Sequence, residues 1–212
     1  MTVLKDADTG EDLWWDFSQT ESTGMYHAGR TALESLGYVI LSVTGDGFGG
    51  IRAAFTGIPF QMCHVHMERI VIRGTTRSPQ LEAGIVLLAM VRSLFDNHTT
   101  YPLFYRRLQA YWQKYQGFLN ERTTTPISGE SFWKHEELRK AVLSLQRLSP
   151  YLFTFEKDRL IPKTTNALEG QFGHLKEILA IHRGVSREHK EKMIHTILLE
   201  STIAPEEQWK KT

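Results

Sequence analysis

Apolar residues recur along this chain with two periods, and the switch between them marks its organisation. Val3-Leu4-Lys5-Asp6-Ala7 and Leu13-Trp14-Trp15-Asp16-Phe17 flank a Gly-containing turn, which predicts a β-hairpin. Met25, Ala28, Ala32, Leu33 and Leu36 fall at helical spacing with Gly37 behind them, so residues 23–36 read as a helix with a glycine stop. The β-branched run from Val39 to Val43 predicts a strand that ends in the turn Thr44-Gly45-Asp46-Gly47. A short helix over 49–55 and a second short strand over 58–62 follow, giving a mixed α/β order.

From Cys63 to about Leu148 the pattern becomes helical. Val65, Ile70 and Val71 mark one segment and Leu81, Ile85, Leu88 and Val91 another. Phe104, Leu108, Tyr111, Tyr115 and Phe118 trace a buried face of a third, where Trp112 and Trp133 are expected to pack as core residues. Gly74 should shorten the first of these helices, and residues 120–129 read as a polar loop. After an apolar connector over 150–162, Leu168, Phe172, Leu175 and Leu179 share one helical face. Ser186 can then cap a last helix bearing Met193, Ile194, Ile197 and Leu198. The organisation expected is therefore a sheet part over 1–62, an all-α block over 63–150, C-terminal helices over 151–203 and a solvated tail over 204–212.

Composition narrows the class. In 212 residues no segment approaches the roughly 20 apolar residues of a membrane span, and the polar, acidic start does not read as a secretory signal. The single cysteine, Cys63, leaves no internal disulfide and suits a reducing cytoplasm. The net charge of +1 hides an asymmetry: residues 1–50 hold two basic residues against eight acids, and the remainder holds 23 basic and 16 acidic residues. A polyanion partner for the later region is compatible with that surplus.

Several constellations could carry chemistry, each beside a plainer reading. Asp46 sits in a Gly-Asp-Gly turn at the carboxyl end of a strand, where α/β sheets hold ligands; an ordinary Asx turn is the alternative. Glu169 stands three residues after Asn166, which reads as a capping box, yet a carboxylate at an element's start can also meet a distant one around Mg²⁺. Cys63 and His66 form a Cys-x-x-His pair, half of a zinc site that His64, His98, His135 or His174 would have to complete; buried packing of the thiol is expected over zinc. Arg69, Arg73 and Arg77 recur every four residues, as a phosphate stripe or a solvated helix face, and Arg106, Arg107 and Lys114 pose the same choice.

Taken in order, the Asp46 turn, Gln61-x-Cys63-x-x-His66, a helical block, and Thr165-Asn166-x-x-Glu169 followed by Lys176 resemble the DDE transposases of bacterial insertion sequences in the Mutator-like superfamily. The resemblance covers nearly the whole chain. It implies an RNase H-like mixed sheet interrupted by an all-α insertion, with Asp46 as the second catalytic Asp and Glu169 as the final Glu. Cys63 and His66 match the family's Cys-x-x-His pair, and Arg69, Arg73, Asn166 and Lys176 become candidate DNA contacts. The cofactor implied is a pair of Mg²⁺ or Mn²⁺ ions roughly 4 Å apart for cleavage and strand transfer. DNA and a homo-oligomer are the partners implied, in a bacterial cytoplasm at the nucleoid. The family's first Asp lies on a strand upstream of the hairpin, and Asp6, Asp8 and Asp12 do not replace it. The expectation is an N-terminally truncated transposase, inactive alone, or else a non-catalytic DNA-binding remnant that regulates an intact enzyme.

Overall fold

The computed structural model describes residues 1–125 and 129–201. Its first pieces follow the sequence closely. β1 (Thr2–Lys5) and β2 (Asp12–Asp16) pair antiparallel, with Val3 opposite Trp15 and Leu4 opposite Trp14. Side chains alternate between the faces of a strand, and the hairpin uses both. Leu4 and Trp14 pack against the main core, while Val3 joins a smaller cluster with Leu175, Ile194 and Leu198, against which Trp15 packs.

α1 (Thr23–Ser35) begins where Ser22 Oγ accepts a hydrogen bond from Met25 N at 3.2 Å. It ends in a Schellman pattern, with Tyr38 N donating to Leu33 O and Gly37 N to Glu34 O. Gly37 supplies the positive φ of 87° that this ending requires. Gly29 lets α1 lie on the hairpin, since a Cβ there would stand 2.7 Å from Leu4 and 2.8 Å from Trp14.

β3 (Val43–Gly45), α2 (Gly49–Ala54) and β4 (Phe60–Met62) form a βαβ unit whose two strands are parallel, with Val43 opposite Phe60 and Gly45 opposite Met62. The strand expected from Val39 is confined to its last residues. Val39 and Leu41 are 81% and 70% exposed and line a cavity of about 600 Å³ between the hairpin and β3. Among the described residues β1 pairs only with β2 and β3 only with β4, so the expected mixed sheet is present as separate two-stranded pieces. Beyond β4, the 3₁₀ turns Ser149–Tyr151 and Thr154–Glu156 take up hydrogen bonds that a neighbouring strand would otherwise make. Thr154 Oγ1 donates to Phe60 O at 2.6 Å, and the buried Gln61 side chain bonds Leu152 O and Phe155 N.

The helical block consists of α3 (His64–Thr75), α4 (Glu82–Arg92), α5 (Tyr101–Leu119) and α6 (Glu136–Leu148). It is not all-α: β5 (Arg122–Thr124), inside the expected polar loop, pairs with β6 (Ser131–Trp133), just past its end, as a hairpin. Pro126, Ile127 and Ser128 of that loop, and the tail expected over 204–212, lie outside the described residues. Phe104, Leu108, Tyr111 and Tyr115 are buried as their spacing predicts, and Trp112 packs partly buried against them. Trp133 departs from the core expectation, because its ring lies between the guanidinium groups of Arg122 and Arg139 at 4.4 and 4.3 Å. One core runs through α1, α2, β4 and α3 to α6, so the sheet part and the helical block are packed together. α7 (Asn166–Ile181) and α8 (Arg187–Ser201) cover the other face of the hairpin. Among the described residues no helix is long and apolar enough to cross a membrane.

α3 ends at Thr75, one residue past Gly74, as expected, and Gly74 also permits a close helix crossing. A Cβ at this position would lie 2.5 Å from the Glu137 carbonyl oxygen and 2.7 Å from Ala141 Cβ, both on α6. Gly74→Val is therefore expected to lower stability by about 3 kcal/mol, the upper end for overpacking. Gly117→Ala, on α5 with nothing within 4 Å, should raise it by up to about 1 kcal/mol. Urea unfolding of the two variants checks both signs.

Candidate metal centre

The site is built at the carboxyl ends of the parallel pair β3 and β4. After β3 the chain turns at Asp46, whose Oδ1 accepts from Phe48 N at 2.9 Å, so the Asx turn does form. Gly47 follows with φ of 90°, and a Cβ there would meet Met62 Sδ at 2.8 Å. After β4 the chain reaches Cys63, whose backbone N donates to Gly45 O at 2.8 Å, and α3 starts at once. The N-terminal end of α3 thus carries His64 and His66 in its first turn and Arg69 in the next.

The segment leading to α7 is fastened to these same strand ends. Thr44 Oγ1 donates to Pro162 O at 3.1 Å, and His64 N donates to Lys163 O at 3.0 Å. Thr165 N and Oγ1 point at Cys63 Sγ, at 3.3 and 3.4 Å. α7 consequently starts beside α3, and Glu169 faces His66 across the gap, with Oε1 3.5 Å from Nδ1. Its other oxygen, Oε2, accepts from Arg69 at 2.5 Å. The capping box expected for Glu169 is not formed: Thr165 is the N-cap, Asn166 is the first helical residue, and Glu169 is turned to α3. Thr165 itself makes no side-chain cap, its hydroxyl being directed at the Cys63 sulfur, and Glu169 is drawn to Arg69 instead.

Cys63 Sγ, a ring nitrogen of His66 and a Glu169 oxygen lie within 4.8 Å of one another. His66 Nδ1 and Glu169 Oε1 are both buried and have no hydrogen-bond partner. The ion-pair distance between them is real, but neither atom is satisfied by it as a hydrogen bond. Burial pushes the Cys63 thiol up, and hydrogen bonds from His66 and Thr165 more than reverse that, bringing it down to about 7. The same bond to Cys63 raises His66, against desolvation, with further help from the negative charges of Cys63, Glu169 and Asp46. Asp46 is therefore electrostatically close to His66 but stands outside the three-ligand cluster.

His64 plays a different part from His66. It is buried, Nε2 lies 2.7 Å from Leu152 O, and burial holds its pKa below the usual histidine value. It shares that carbonyl with Gln61 and so pins the connector to β4. His135 stacks on Phe118 at 3.7 Å and lies 3.3 Å from Glu121, and neither it nor His64, His98 or His174 belongs to the Cys63 cluster. Arg69, Arg73 and Arg77 are all exposed; Arg69 holds Glu169, while Arg77 lies beyond the end of α3. Asn166 and Lys176 are exposed on α7. On the third helix, Lys114 bonds Glu82 and Arg107 reaches Ser93.

Two residues named in the sequence have roles that the sequence did not signal. Thr165 was visible only as a neighbour of Asn166, yet it supplies two donors to the sulfur. Asp12 is buried, paired with Lys5 at 3.0 Å and hydrogen-bonded to Gln171, which ties the hairpin to α7 two residues past Glu169. No sequence signal joins positions 12 and 171, which meet only in the folded chain.

Comparison with family models, with curated proteins and with solved structures returns no match to this chain.

Thr165→Val removes one donor to Cys63 and should move its titration upward from about 7. Because Cys63 is the only cysteine, the pH dependence of thiol alkylation under partial opening, or of thiolate ultraviolet absorbance, reads it alone. The sign for stability follows from the usual thiol value of 9.0. The folded thiol gives up its proton at lower pH than the unfolded one, so this contribution is complete above pH 9.0 and is lost as pH falls to about 7. An unchanged titration in Thr165→Val would contradict the role given to Thr165.

Proposed function

We propose that this chain is the catalytic-core part of a DDE transposase, performing metal-dependent cleavage of DNA phosphodiesters and strand transfer. The observation that carries the reading is the approach of Glu169 to the end of β4. A carboxylate from α7 lies 3.5 Å from His66 and leaves a buried oxygen unbonded, and the negative charge of a second carboxylate, Asp46, also acts on that imidazole. This is the region of an α/β sheet where ligands bind.

The residues fit a hard divalent ion in part. Mg²⁺ takes oxygen ligands and keeps several waters, so Asp46 and Glu169 would hold it with solvent or a DNA phosphate completing the shell. Bound there, the ion would supply an activated water and stabilise the leaving 3′-oxygen. Asp46 is positioned by its bond to Phe48 N, and Glu169 by Arg69, which holds the oxygen opposite the free one. A third carboxylate does not come from the hairpin, since Asp12 is engaged by Lys5 and Gln171. Activity of the chain alone should accordingly be low. Exposed Arg73, Asn166 and Lys176 are the residues offered to the DNA backbone, with a homo-oligomer at the nucleoid as the working assembly.

The ion pair between Arg69 and Glu169 favours a second reading. A carboxylate already neutralised by a guanidinium is poorly placed to take a metal, as it would be in a non-catalytic DNA-binding remnant that regulates an intact enzyme. One experiment separates the two. Nicking of supercoiled DNA is assayed with Mg²⁺ or Mn²⁺, alongside DNA binding over a salt series. The catalytic reading expects weak nicking that falls by about 100-fold or more in Asp46→Asn and Glu169→Gln. The regulatory reading expects no nicking, with binding that weakens linearly on a logarithmic salt scale and is unaffected by Asp46→Ala. Absence of DNA binding at every salt concentration would overturn both.

A further inference from the structure

The geometry points to a second kind of metal site at the same corner: Cys63, His66 and Glu169 form a three-ligand centre for a borderline-soft divalent ion, Zn²⁺ above all, with a fourth position left for water. The three donors come from three elements, namely the end of β4, the first turn of α3 and the first turn of α7. Their atoms lie within 4.8 Å of one another. Bond lengths of about 2.0–2.3 Å in a tetrahedral shell put neighbouring ligands roughly 3.3–3.8 Å apart, and His66 Nδ1 and Glu169 Oε1 already stand at 3.5 Å. Closing the remaining gap takes a side-chain adjustment rather than a change of fold.

The unsatisfied atoms give the independent sign of a ligand. Two buried polar atoms without a hydrogen-bond partner face each other here, His66 Nδ1 and Glu169 Oε1. A cation between them would bond both, and unlike a proton shared by that pair it would also take the Cys63 sulfur. Sulfur decides which cation. Thiolate and imidazole select zinc over magnesium, which requires oxygen. The surroundings are those of a supported ligand set: Thr165 N and Oγ1 aim at Cys63 Sγ, and Arg69 fixes the outer oxygen of Glu169. On binding, the Cys63 thiol proton is released to solvent, and sulfur, nitrogen and oxygen each donate a lone pair to the ion. Three protein ligands and one open position are the arrangement of zinc centres that activate water, whereas structural zinc is closed by four.

This centre rests on the same free oxygen of Glu169 as the magnesium reading but draws on sulfur and imidazole, so variants of Cys63 and His66 tell the two apart. The test titrates chelator-treated full-length protein with Zn²⁺, and with Co²⁺ as a spectroscopic probe. One Zn²⁺ per chain is expected, unaffected by excess Mg²⁺, and Co²⁺ should show a thiolate charge-transfer band with the strong visible bands of four-coordination. Affinity should fall at least about 10–100-fold in Cys63→Ser, His66→Gln and Glu169→Gln. Glu169→Gln keeps a helix-compatible, partly exposed side chain, so its result stands even if the buried Cys63→Ser variant loses its fold. A wild-type protein without the charge-transfer band, or an affinity unchanged in Glu169→Gln and His66→Gln, overturns the inference. Zinc binding that fails while Mg²⁺-dependent nicking persists overturns it alone; zinc binding without nicking leaves it standing and counts against the catalytic reading.

Discussion

The docking of residues 162–165 onto the ends of β3 and β4 is the constraint on which the site depends. Four bonds make it: Thr44 Oγ1 to Pro162 O, His64 N to Lys163 O, and Thr165 N and Oγ1 to Cys63 Sγ. Each joins residues about a hundred positions apart in sequence, with the helical block between them. Once closed, they fix the start of α7, and Glu169 in its first turn has little choice but to face α3. The Lys5–Asp12–Gln171 cluster fastens the same helix to the hairpin from the other side. α7 is thereby held at two points on either flank of Glu169.

The connector that precedes this segment explains why so short a parallel pair persists. Two three-residue strands are marginal on their own. Here β4 gains partners from the 3₁₀ turns, through Thr154 and the fully buried Gln61, while His64 shares the Leu152 carbonyl. A buried amide and a buried imidazole are costly unless bonded. Their bonds to one carbonyl and to Phe155 N turn that cost into a specific docking of the connector.

Much of the fold could be read locally because its signals were local. The hairpin, α1 with its Ser22 cap and Gly37 ending, and the buried stripe of α5 depend on neighbours within a few residues. The misreadings concern positions governed by distant partners. Gly74 reads as the end of a helix, and α3 does end one residue later, but its second role as a crossing point shows only against the backbone of α6. Asn166 looked like a cap until Thr165 was drawn to Cys63. The strand expected from Val39 had the right composition but lacks a neighbour beside the cavity, and composition alone does not supply one. In the site, Asp46, Cys63, His66 and Glu169 could all be singled out from the sequence. Their division was not: it groups Glu169 with the sulfur and imidazole, and leaves Asp46 at the edge.

That grouping sets the chemistry available. The proposed magnesium reading asks Glu169 to join Asp46 in an oxygen-only shell, the zinc reading asks it to join Cys63 and His66, and Glu169 cannot serve both with its single free oxygen while Arg69 holds the other. The most direct measurement of this claim is X-ray absorption at the zinc edge on zinc-loaded protein. The arrangement of Cys63, His66 and Glu169 predicts one sulfur at about 2.3 Å with nitrogen and oxygen neighbours at about 2.0–2.2 Å, the sulfur vanishing in Cys63→Ser. A shell of nitrogen and oxygen alone in the wild-type protein would contradict it.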